Sequence, residues 1–548
     1  MSRQLSRQEF LKLSALGSIL SSGAIIAGKI LPSTFTTDQN REINWIATTC
    51  NGCVSGCGIL VEKYSGMLRH VISNPNHPSK ARVNCEHISC VLDQLYSTRR
   101  LPGPLYRANR TDEKLSNMEW ENAEIVISEV FKNYAPKELG FLLGMYPDHL
   151  FDIVQMISSA LGNFPILRFG KKNEINGRIV LQDATQLLFG MNTIPYFDTQ
   201  NAQIIFSFGL NYQEPWVSEV INPKAKIIHF GKELPKGIGY IDQFFPLKPS
   251  DALSFVRLFA KFVISFSGQS SKKRQEEILG RYYPLIHDSL GIDVEKFLEL
   301  VKLYRSASSK VIIPGATFLS HHDGFEIAKA VLALNVNPKI KKPSLFLIPH
   351  FPFQQIGASR GNSIAEVNVL LDHVINKKIK VLFIHDVDLL SDLPDTSLVQ
   401  KAFESAEKII SFSTIEDATS RKADFLFPDH SILESWGYQR IISGCDRPAI
   451  SAIQPVLSPR MKTYSTTDLF MNSLSRSGLA FQYFSEIDFL SSNIMRFMRQ
   501  MGISAVVNPD IFWKSWLDRG GLWAQDRVLL PVVSQKAVEK ILSPYTDL

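Results

Sequence analysis

The sequence predicts an α/β protein in which a small N-terminal domain is followed by two doubly wound α/β lobes. Apolar runs of strand length alternate with helical stretches through most of the 548 residues, which is the pattern of parallel sheets covered by helices. Three of the six cysteines lie between residues 50 and 57, and this concentration marks a separate domain that holds a ligand. The chain is long enough to bury more than one core.

The composition indicates a folded globular protein and argues against nucleic acid as a partner. Hydrophobic residues make up 45% of the chain and charged residues 20%, as is usual for globular domains. The formal net charge is only +6, and no long basic run is present in the sequence. Six cysteines are too few for a disulfide scaffold in a chain of this length. Cys90 and Cys445 lie outside the cluster and are predicted to be buried thiols.

Residues 1–32 have the layout of an export signal or a membrane anchor. Basic side chains precede an uncharged stretch from Leu13 to Gly28, as in a signal peptide, and this stretch is shorter than the ~20 residues that span a bilayer. Residues 6–12 resemble the twin-arginine (Tat) export motif, with Arg7-Gln8 in place of the arginine pair. We therefore expect a location at the periplasmic face of the cytoplasmic membrane. The alternative is a cytoplasmic protein whose first helix is amphipathic.

The cysteine spacing predicts an iron–sulfur cluster. Cys50, Cys53, Cys57 and Cys85 read C-x2-C-x3-C-x27-C. Three thiolates on one loop and a distant fourth can surround a cubane cluster, whose irons each need one sulfur ligand. Glycines between the ligands leave room for a chain that folds closely around the cluster. The alternatives are a zinc site and disulfides. Zinc more often uses two separated C-x2-C pairs, and disulfides would be strained at this spacing.

From Trp120 the chain alternates between helical and strand-like segments. Residues 119–134 carry apolar side chains at helical spacing, and residues 139–146 form a short apolar run suited to a buried parallel strand. The polar stretch 267–277 is predicted to be a surface loop. Five further strand-like runs are found at 202–211, 225–231, 310–318, 380–390 and 408–415. In such sheets, ligands bind at the carboxyl ends of the strands.

Two segments around the fourth cysteine carry a family resemblance. The runs NPNHPSKARVNC (Asn74 to Cys85) and LYSTRRLPGPLYR (Leu95 to Arg107) resemble the N-terminal domain of the molybdopterin oxidoreductases of the dimethyl sulfoxide reductase superfamily. The resemblance weakens but can be followed to about residue 470. It implies one [4Fe-4S] cluster held by the four cysteines 50, 53, 57 and 85, and two lobes that grip a pair of pterin dinucleotides.

The resemblance also implies a division of the chain into domains. A signal or anchor over 1–32 precedes a [4Fe-4S] domain over 44–107, a first α/β lobe over 108–310 and a second over 311–473. The superfamily ends with a β-barrel of over a hundred residues. The remaining residues 474–548 are fewer, so we expect an extension in place of the barrel.

Several landmarks of the pterin site differ from the superfamily pattern. The metal ligand normally precedes a Phe-Gly by about ten residues, but before Phe189-Gly190 the only ligand-type side chain is Asp183, out of register. His229-Phe230-Gly231 stands where the first dinucleotide site usually has Asp-Pro-Arg, and His87 where the family has a basic residue between cluster and pterin. Pro249-Ser250-Asp251 does match a turn of that site. These departures imply that molybdenum has been lost, and molybdopterin guanine dinucleotide is not expected.

The run FPDHSILESWG, residues 427–437, is similar to the molybdopterin-like subunits of alternative complex III and of menaquinone reductase complexes. The similarity implies an iron–sulfur electron-transfer subunit of a quinone-linked respiratory complex, without catalysis of its own. Its expected partners are a ferredoxin-like iron–sulfur subunit and a quinone-interacting membrane subunit, with a cytochrome c as a further candidate. The alternatives are an active molybdopterin enzyme acting on a small oxyanion or sulfur compound, and a structural subunit without any cofactor.

Two further polar clusters are candidates for function. Residues 320–324 place two histidines beside an aspartate. Because neighbouring side chains on a helix diverge by about 100°, a helix start capped by Ser320 or Asp323 is preferred to a metal site. His385, Asp386 and Asp388 follow a predicted strand, where they would contact a ligand or belong to a solvated loop.

Overall fold

A computed structural model describes the chain in thirteen stretches and divides it into two compact units. The described residues are 43–80, 85–110, 112, 114–170, 174–212, 214–218, 220–265, 272–336, 344–348, 361–441, 443–500, 508–524 and 530–531. Unit 1 takes its residues from 1–172, 351–441 and 449–526, and unit 2 from 173–350, 442–448 and 527–548. The predicted signal at 1–32 lies outside the described residues. Among the helices that are described, none has the length and apolar character needed to cross a membrane.

The strands of the two units are numbered in chain order. They are β1 (Ile43–Thr49), β2 (Gly58–Tyr64), β3 (Met67–Ser73), β4 (Leu105–Tyr106), β5 (Ser116–Asn117), β6 (Leu139–Leu143), β7 (Ile166–Arg168), β8 (Tyr196–Phe197), β9 (Ile204–Phe208), β10 (Lys226–Gly231), β11 (Gln243–Pro246), β12 (Lys310–Pro314), β13 (Leu345–Leu347), β14 (Val381–His385), β15 (Lys408–Ser411), β16 (Phe425–Leu426), β17 (Gly437–Ile441), β18 (Ala449–Ile453), β19 (Gly521–Trp523) and β20 (Leu530–Pro531).

The helices are numbered in the same way. They are α1 (Glu86–Ser89), α2 (Val91–Tyr96), α3 (Trp120–Asn133), α4 (Asp148–Leu161), α5 (Glu174–Phe189), α6 (Pro249–Ser265), α7 (Lys272–Pro284), α8 (Val294–Ser306), α9 (Ala316–Leu319), α10 (Gly324–Asn335), α11 (Ile364–Ile375), α12 (Leu389–Asp392), α13 (Thr396–Ser405), α14 (Thr466–Arg476), α15 (Glu486–Gln500) and α16 (Pro509–Arg519). Short 3-10 turns at Pro136–Glu138, Ser420–Lys422 and Ile432–Glu434, and a π turn at Leu285–Ser289, complete the helical elements.

Unit 1 is built on a seven-stranded sheet with the order β5-β4-β16-β15-β14-β6-β7. The strands from β16 to β7 run parallel, while β4 and β5 are antiparallel at one edge. Alternate side chains of β6 and β14 enter different cores: Phe141 and Phe383 pack with α3, α4 and α14, whereas Leu142 and Leu382 pack with α11 and α13. Helices therefore cover both faces, as expected for strands that are apolar throughout.

Two antiparallel sheets complete unit 1. The strands β1, β2 and β3 pair in that order, with Ile43 opposite Tyr64. The strands β17, β18 and β19 form the second sheet. These two sheets carry the residues that surround the cysteines.

Unit 2 is built on a four-stranded parallel sheet with the order β11-β10-β9-β12. Phe206 and Phe230 face a core with α6 and α8, while Ile205 and Ile227 face a second core with α5. A small antiparallel sheet with the order β20-β13-β8 lies in the same unit. The carboxyl ends of β9 and β10 are the positions at which such a sheet offers a ligand site.

The α/β prediction is confirmed, and its strand runs contain β6, β9, β10, β12, β14 and β15. The prediction of a surface loop over 267–277 is wrong for residues 272–277, which belong to α7. The seven-stranded sheet combines β6 with β14, which come from the ranges predicted as first and second lobe. Local patterns identify strands but do not indicate which strands pair. The interleaving of the two units along the sequence was therefore not predicted. In the described part of 474–548, the end of α14, two further helices and two short strands are present and no closed barrel is seen.

Candidate iron–sulfur site

The first three predicted ligands lie on a loop between β1 and β2. Cys50 follows β1 directly and Cys57 precedes β2. The backbone N–H of Cys50 donates to the carbonyl oxygen of Cys57 over 2.8 Å, which closes the loop at its base. The fourth cysteine, Cys85, precedes α1. The antiparallel pairing of β1 and β2 thus fixes both ends of the cysteine loop.

Two glycines let this loop approach its surroundings. Gly56 has a φ of +55°, and a Cβ placed there would lie 2.8 Å from side-chain atoms of Gln439 and Ile441 on β17. A Cβ at Gly52 would lie 2.4 Å from the Cβ of His87 on α1. The loop therefore packs against β17 on one side and α1 on the other, and glycine is required at Gly56 for both its conformation and its space.

The four sulfur atoms are near enough to affect one another electrostatically. Burial, and after it the neighbouring thiol of Cys53, raises the pKa of Cys50 to about 12. Burial also raises the pKa of Cys57, with further contributions from Cys53, Cys50 and Cys85. The thiolate forms of Cys50 and Cys57 are thus disfavoured in the protein alone, and cationic iron reverses this because it binds thiolates. The donor set fits the predicted cluster, and the assignment of these cysteines as its ligands stays a prediction.

The ring of His77 connects the cysteine loop to β18. Its Nδ1 atom lies 3.3 Å from the backbone nitrogen of Gly58 and 3.1 Å from that of Ser79. Nδ1 also lies 2.7 Å from the carbonyl oxygen of Ser79, and Nε2 lies 2.9 Å from the hydroxyl of Ser451, which donates to the carbonyl oxygen of Gly56 over 3.0 Å. Burial lowers the pKa of His77 to about 4, which keeps the ring neutral. His77 thus positions the second half of the loop.

A buried ion pair anchors the chain that leaves the cysteine domain. The two guanidinium nitrogens of Arg100 lie 3.0 and 2.5 Å from the two carboxylate oxygens of Glu434, and both side chains are fully buried. Arg100 also donates to the carbonyl oxygen of Leu95 at the end of α2 over 3.1 Å. Glu434 accepts from the backbone nitrogens of Ser431 and Arg460 as well. The glutamate of the sequence run ESWG is therefore a structural residue.

At the carboxyl end of β10, the side chain of His229 is hydrogen-bonded to neighbouring residues of the chain. His229 Nε2 donates to the carbonyl oxygen of Glu233 over 3.1 Å, and its Nδ1 accepts from the hydroxyl of Ser207 over 2.5 Å. The ring stacks on Phe244 with 5.9 Å between centroids. Burial lowers the pKa of His229 to about 4. Both ring nitrogens are used within the chain, so the place where the superfamily has an aspartate offers no free acceptor.

Two of the three candidates at the end of β14 have structural partners, and Asp386 is exposed. His385 Nε2 lies 2.8 Å from a carboxylate oxygen of Asp429, and Asp388 accepts from both the backbone nitrogen and the hydroxyl of Thr419. Asp388 is thus held within the fold, against the idea of a solvated loop. Cys445 is buried as predicted, whereas Cys90 is exposed and that prediction is wrong.

A polar network at the start of α4 was missed by the sequence reasoning. The buried Asp148 accepts from a guanidinium nitrogen of Arg168 over 2.5 Å and from the backbone nitrogen of Arg440 over 2.6 Å. Burial acts to raise the pKa of Asp148, but Arg168 and Arg440 outweigh it and lower the pKa. Asp152 binds the Arg440 guanidinium and the Tyr438 hydroxyl. No local motif marks these residues, because β17, which carries Arg440, is distant in sequence from α4 and β7.

Three buried polar atoms beside this network have no hydrogen-bond partner among the described residues. They are the hydroxyl of Tyr146, Oε1 of Gln439 and Nδ1 of His149. The Gln439 side chain packs on Gly56 of the cysteine loop, and His149 Nδ1 lies against Gly437 at the start of β17. Buried polar atoms are normally satisfied by protein, water or a ligand. This side of the cysteine loop therefore favours a polar ligand or ordered water.

Comparison with protein families decides the family. Residues 43–95 match the molybdopterin oxidoreductase Fe4S4 domain, and residues 100–441, well over half of the chain, match the molybdopterin oxidoreductase family. The chain belongs to the molybdopterin oxidoreductase family. The Fe4S4 match covers all four cysteines and supports a [4Fe-4S] cluster.

Curated members of this family are similar to the chain at low identity. The menaquinone reductase molybdopterin-binding-like subunit of Nitratidesulfovibrio vulgaris is 22% identical over 464 residues, which cover 80% of this chain and 65% of that protein. The molybdopterin-containing subunit ArrA of the arsenate respiratory reductase of Shewanella sp. ANA-3 is 24% identical over 277 residues, or 45% of this chain and 31% of that protein. Periplasmic nitrate reductase of Campylobacter fetus is 30% identical over 143 residues, or 25% and 15%. The chain spans less than two thirds of the length of each relative.

A solved structure shares the fold. Acetylene hydratase from Pelobacter acetylenicus superposes with a TM-score of 0.62 at 15% identity, over 79% of this chain and 69% of that one. At this identity the likeness concerns the fold alone. It agrees with the α/β architecture and the N-terminal Fe4S4 domain described above.

Proposed function

We propose that this chain is the iron–sulfur electron-transfer subunit of a quinone-linked respiratory complex at the membrane, built on a molybdopterin oxidoreductase fold that no longer carries molybdenum. The observation that carries the proposal is the convergence of Cys50, Cys53, Cys57 and Cys85. A [4Fe-4S] cluster, when bound, supplies one-electron transfer.

The residues of the chain would position and insulate this cluster. The four cysteines would hold it, and Gly52 allows His87 to pack directly on the loop. Ser79 directs its hydroxyl toward the sulfur of Cys57 at 3.6 Å, and the backbone nitrogen of Gly52 lies 3.4 Å from the sulfur of Cys50. Hydrogen bonds to the ligand sulfurs raise the reduction potential of such clusters, because they stabilise the negative charge that reduction adds. These contacts are those expected around a cluster that relays electrons, and none of them involves proton transfer or substrate binding.

The loss of molybdenum is inferred from the sites that should hold the cofactor. The end of β10 carries His229, whose two ring nitrogens are bonded within the chain. On α5 the segment before Phe189 has no cysteine or serine, and Asp183 stands out of register. A metal ligand and an acceptor for the dinucleotide are thus both replaced.

The proposal for the partners is supported by the relative in Nitratidesulfovibrio vulgaris, whose name describes a menaquinone reductase subunit. We infer a ferredoxin-like iron–sulfur subunit and a quinone-interacting membrane subunit as partners, with a cytochrome c as a further electron acceptor. The Tat-like pattern in residues 6–12 supports a place at the periplasmic face. Fusion of residues 1–42 to a reporter that matures only after folded export would test this; retention of the reporter in the cytoplasm would contradict it.

Metal analysis of anaerobically purified full-length protein tests the main proposal. We expect about four irons per chain, a cubane electron paramagnetic resonance signal after reduction, and no molybdenum or tungsten. Iron without a reducible signal would contradict electron transfer. The absence of both iron and molybdenum would leave a structural subunit.

A second function is favoured by the unpartnered atoms of Tyr146, Gln439 and His149. A pterin beside the cysteine loop would satisfy polar atoms of this kind, as in an active molybdopterin enzyme. Release of one or two pterins per chain on denaturation, together with stoichiometric molybdenum or tungsten, would establish this function and overturn the first.

A further inference from the structure

The turn between α9 and α10 in unit 2 has a different structure from the one its sequence predicts. Asp323 occupies the N-cap position of α10, but its side chain makes no capping hydrogen bond. The backbone nitrogen of His321 donates to Phe318 over 3.2 Å, and that of Gly324 donates to His321 over 2.9 Å. Residues 320–323 thus form a tight turn outside both helices. The divergence of neighbouring side chains on a helix does not apply to them.

This turn brings two imidazoles and a carboxylate together. Asp323 Oδ2 lies 3.0 Å from His322 Nε2 and 3.8 Å from His321 Nδ1. The two ring centroids are 4.0 Å apart. One donor atom from each of the three residues lies within 4.8 Å of the other two. Ligands at ~2.0–2.1 Å from a tetrahedral zinc ion are themselves about 3.3 Å apart, so small rotations would bring all three into range.

A second observation also indicates a ligand. The Nδ1 atom of His321 is buried and has no hydrogen-bond partner among the described residues. Buried ring nitrogens without partners are uncommon, because losing their bond to water costs free energy. The unpartnered nitrogen belongs to the donor set just described.

We propose that His321, His322 and Asp323 form a binding site for a divalent transition metal of the zinc class. Imidazole nitrogen suits zinc, nickel and copper, whereas calcium and magnesium prefer oxygen ligands alone. The side chain of His322 is 76% exposed, against 24% for His321. Three protein ligands and an open face toward solvent leave a fourth position for water or an exogenous ligand. This site is separate from the cysteines and does not depend on the proposed electron transfer.

Zinc titration of the full-length protein by calorimetry and equilibrium dialysis tests the site. We expect the wild type to bind one more zinc ion than His322→Ala, with Asp323→Asn binding it at least ~10-fold more weakly. His287→Ala is the matched control, because His287 is an exposed histidine 2.8 Å from Asp288 without a second imidazole, and it should bind like the wild type. Equal stoichiometry and affinity in wild type and His322→Ala would overturn the proposal.

Cobalt distinguishes this site from the cysteines, which can also bind zinc in cluster-free protein. Cobalt bound to nitrogen and oxygen shows ligand-field bands without the intense thiolate charge-transfer absorption of a cysteine site. We expect wild-type protein to show ligand-field bands that His322→Ala lacks, while the thiolate absorption is the same in both. A spectrum composed only of thiolate-bound cobalt would contradict the proposal.

Discussion

The cysteine loop and the carboxyl end of β10 make opposite use of buried polar groups. In the loop, burial and the neighbouring sulfurs raise the pKa of Cys50 and of Cys57, so the thiolate form that binds iron is disfavoured until a metal is present. At the end of β10, the ring of His229 has a partner for each nitrogen. The first region is incomplete without a ligand, and the second is complete without one.

This difference agrees with the proposal that the cysteine loop binds a cluster and that the carboxyl end of β10 no longer binds a dinucleotide. A ligand site holds polar groups in positions that the protein does not satisfy, because the ligand will satisfy them. A strand end that has lost its ligand can lower its free energy by bonding its own polar groups. His229 agrees with the proposed loss, since its two ring nitrogens are bonded to Ser207 and Glu233.

The largest expected effect is the loss of a cluster ligand. Cys53→Ser should reduce the iron content from about four per chain to near zero, because a cubane needs a sulfur ligand on each iron. Cys90→Ser is the matched control, since Cys90 is exposed and outside the loop. Iron analysis and the reduced resonance spectrum report both. Full iron content in Cys53→Ser would show that the loop is not the incomplete region described here.

Breaking the anchor beside the loop should be the next largest effect. Glu434→Gln leaves the guanidinium of Arg100 buried without its counter-charge, and we expect a loss of about 3–5 kcal/mol in the free energy of unfolding. Glu416→Gln removes an exposed pair with Arg421 and should cost under about 1 kcal/mol. Urea unfolding measures both variants. Equal effects would show that the buried pair does not hold the cysteine domain in place.

The closed end of β10 can be opened by His229→Ala. This change leaves the hydroxyl of Ser207 and the carbonyl of Glu233 without a partner, so we expect a loss of about 1–3 kcal/mol in stability. Phe244→Leu, at a residue that is 37% exposed, keeps the histidine bonded and should cost less. If His229→Ala gained a guanine nucleotide or a pterin, the strand end would be a blocked site instead of a lost one.

The smallest expected effect is a pH dependence at the same histidine. Since the folded-state pKa of His229 is lowered to about 4 from 6.5 by burial, the unfolded chain binds the proton more tightly. The contribution of His229 to stability is therefore full above pH 6.5 and is lost as the pH falls toward 4, by about 1–2 kcal/mol. Comparing the pH dependence of unfolding in wild type and His229→Phe measures it. Parallel curves would mean that the ring is not held neutral.

Sequence patterns predicted the elements better than their arrangement. The runs at 139–146 and 380–390 were recognised as strands because they are apolar throughout and of strand length. That they lie side by side, with Leu139 opposite Val381, could not be inferred, because pairing depends on contacts more than two hundred residues apart in the chain. The same limit hid the network of Asp148, Arg168 and Arg440, which assembles only when α4, β7 and β17 meet.

Residue types and their local spacing were enough to predict the α/β class, the family and the four cysteines that we expect to hold a cluster. Such patterns can be recognised in the sequence before the fold is known. The folded structure was needed to find that His229 is bonded within the chain, that Glu434 neutralises Arg100, and that two imidazoles lie beside Asp323 in the turn before α10. These properties depend on distances between atoms and on burial, and both arise only when the chain has packed.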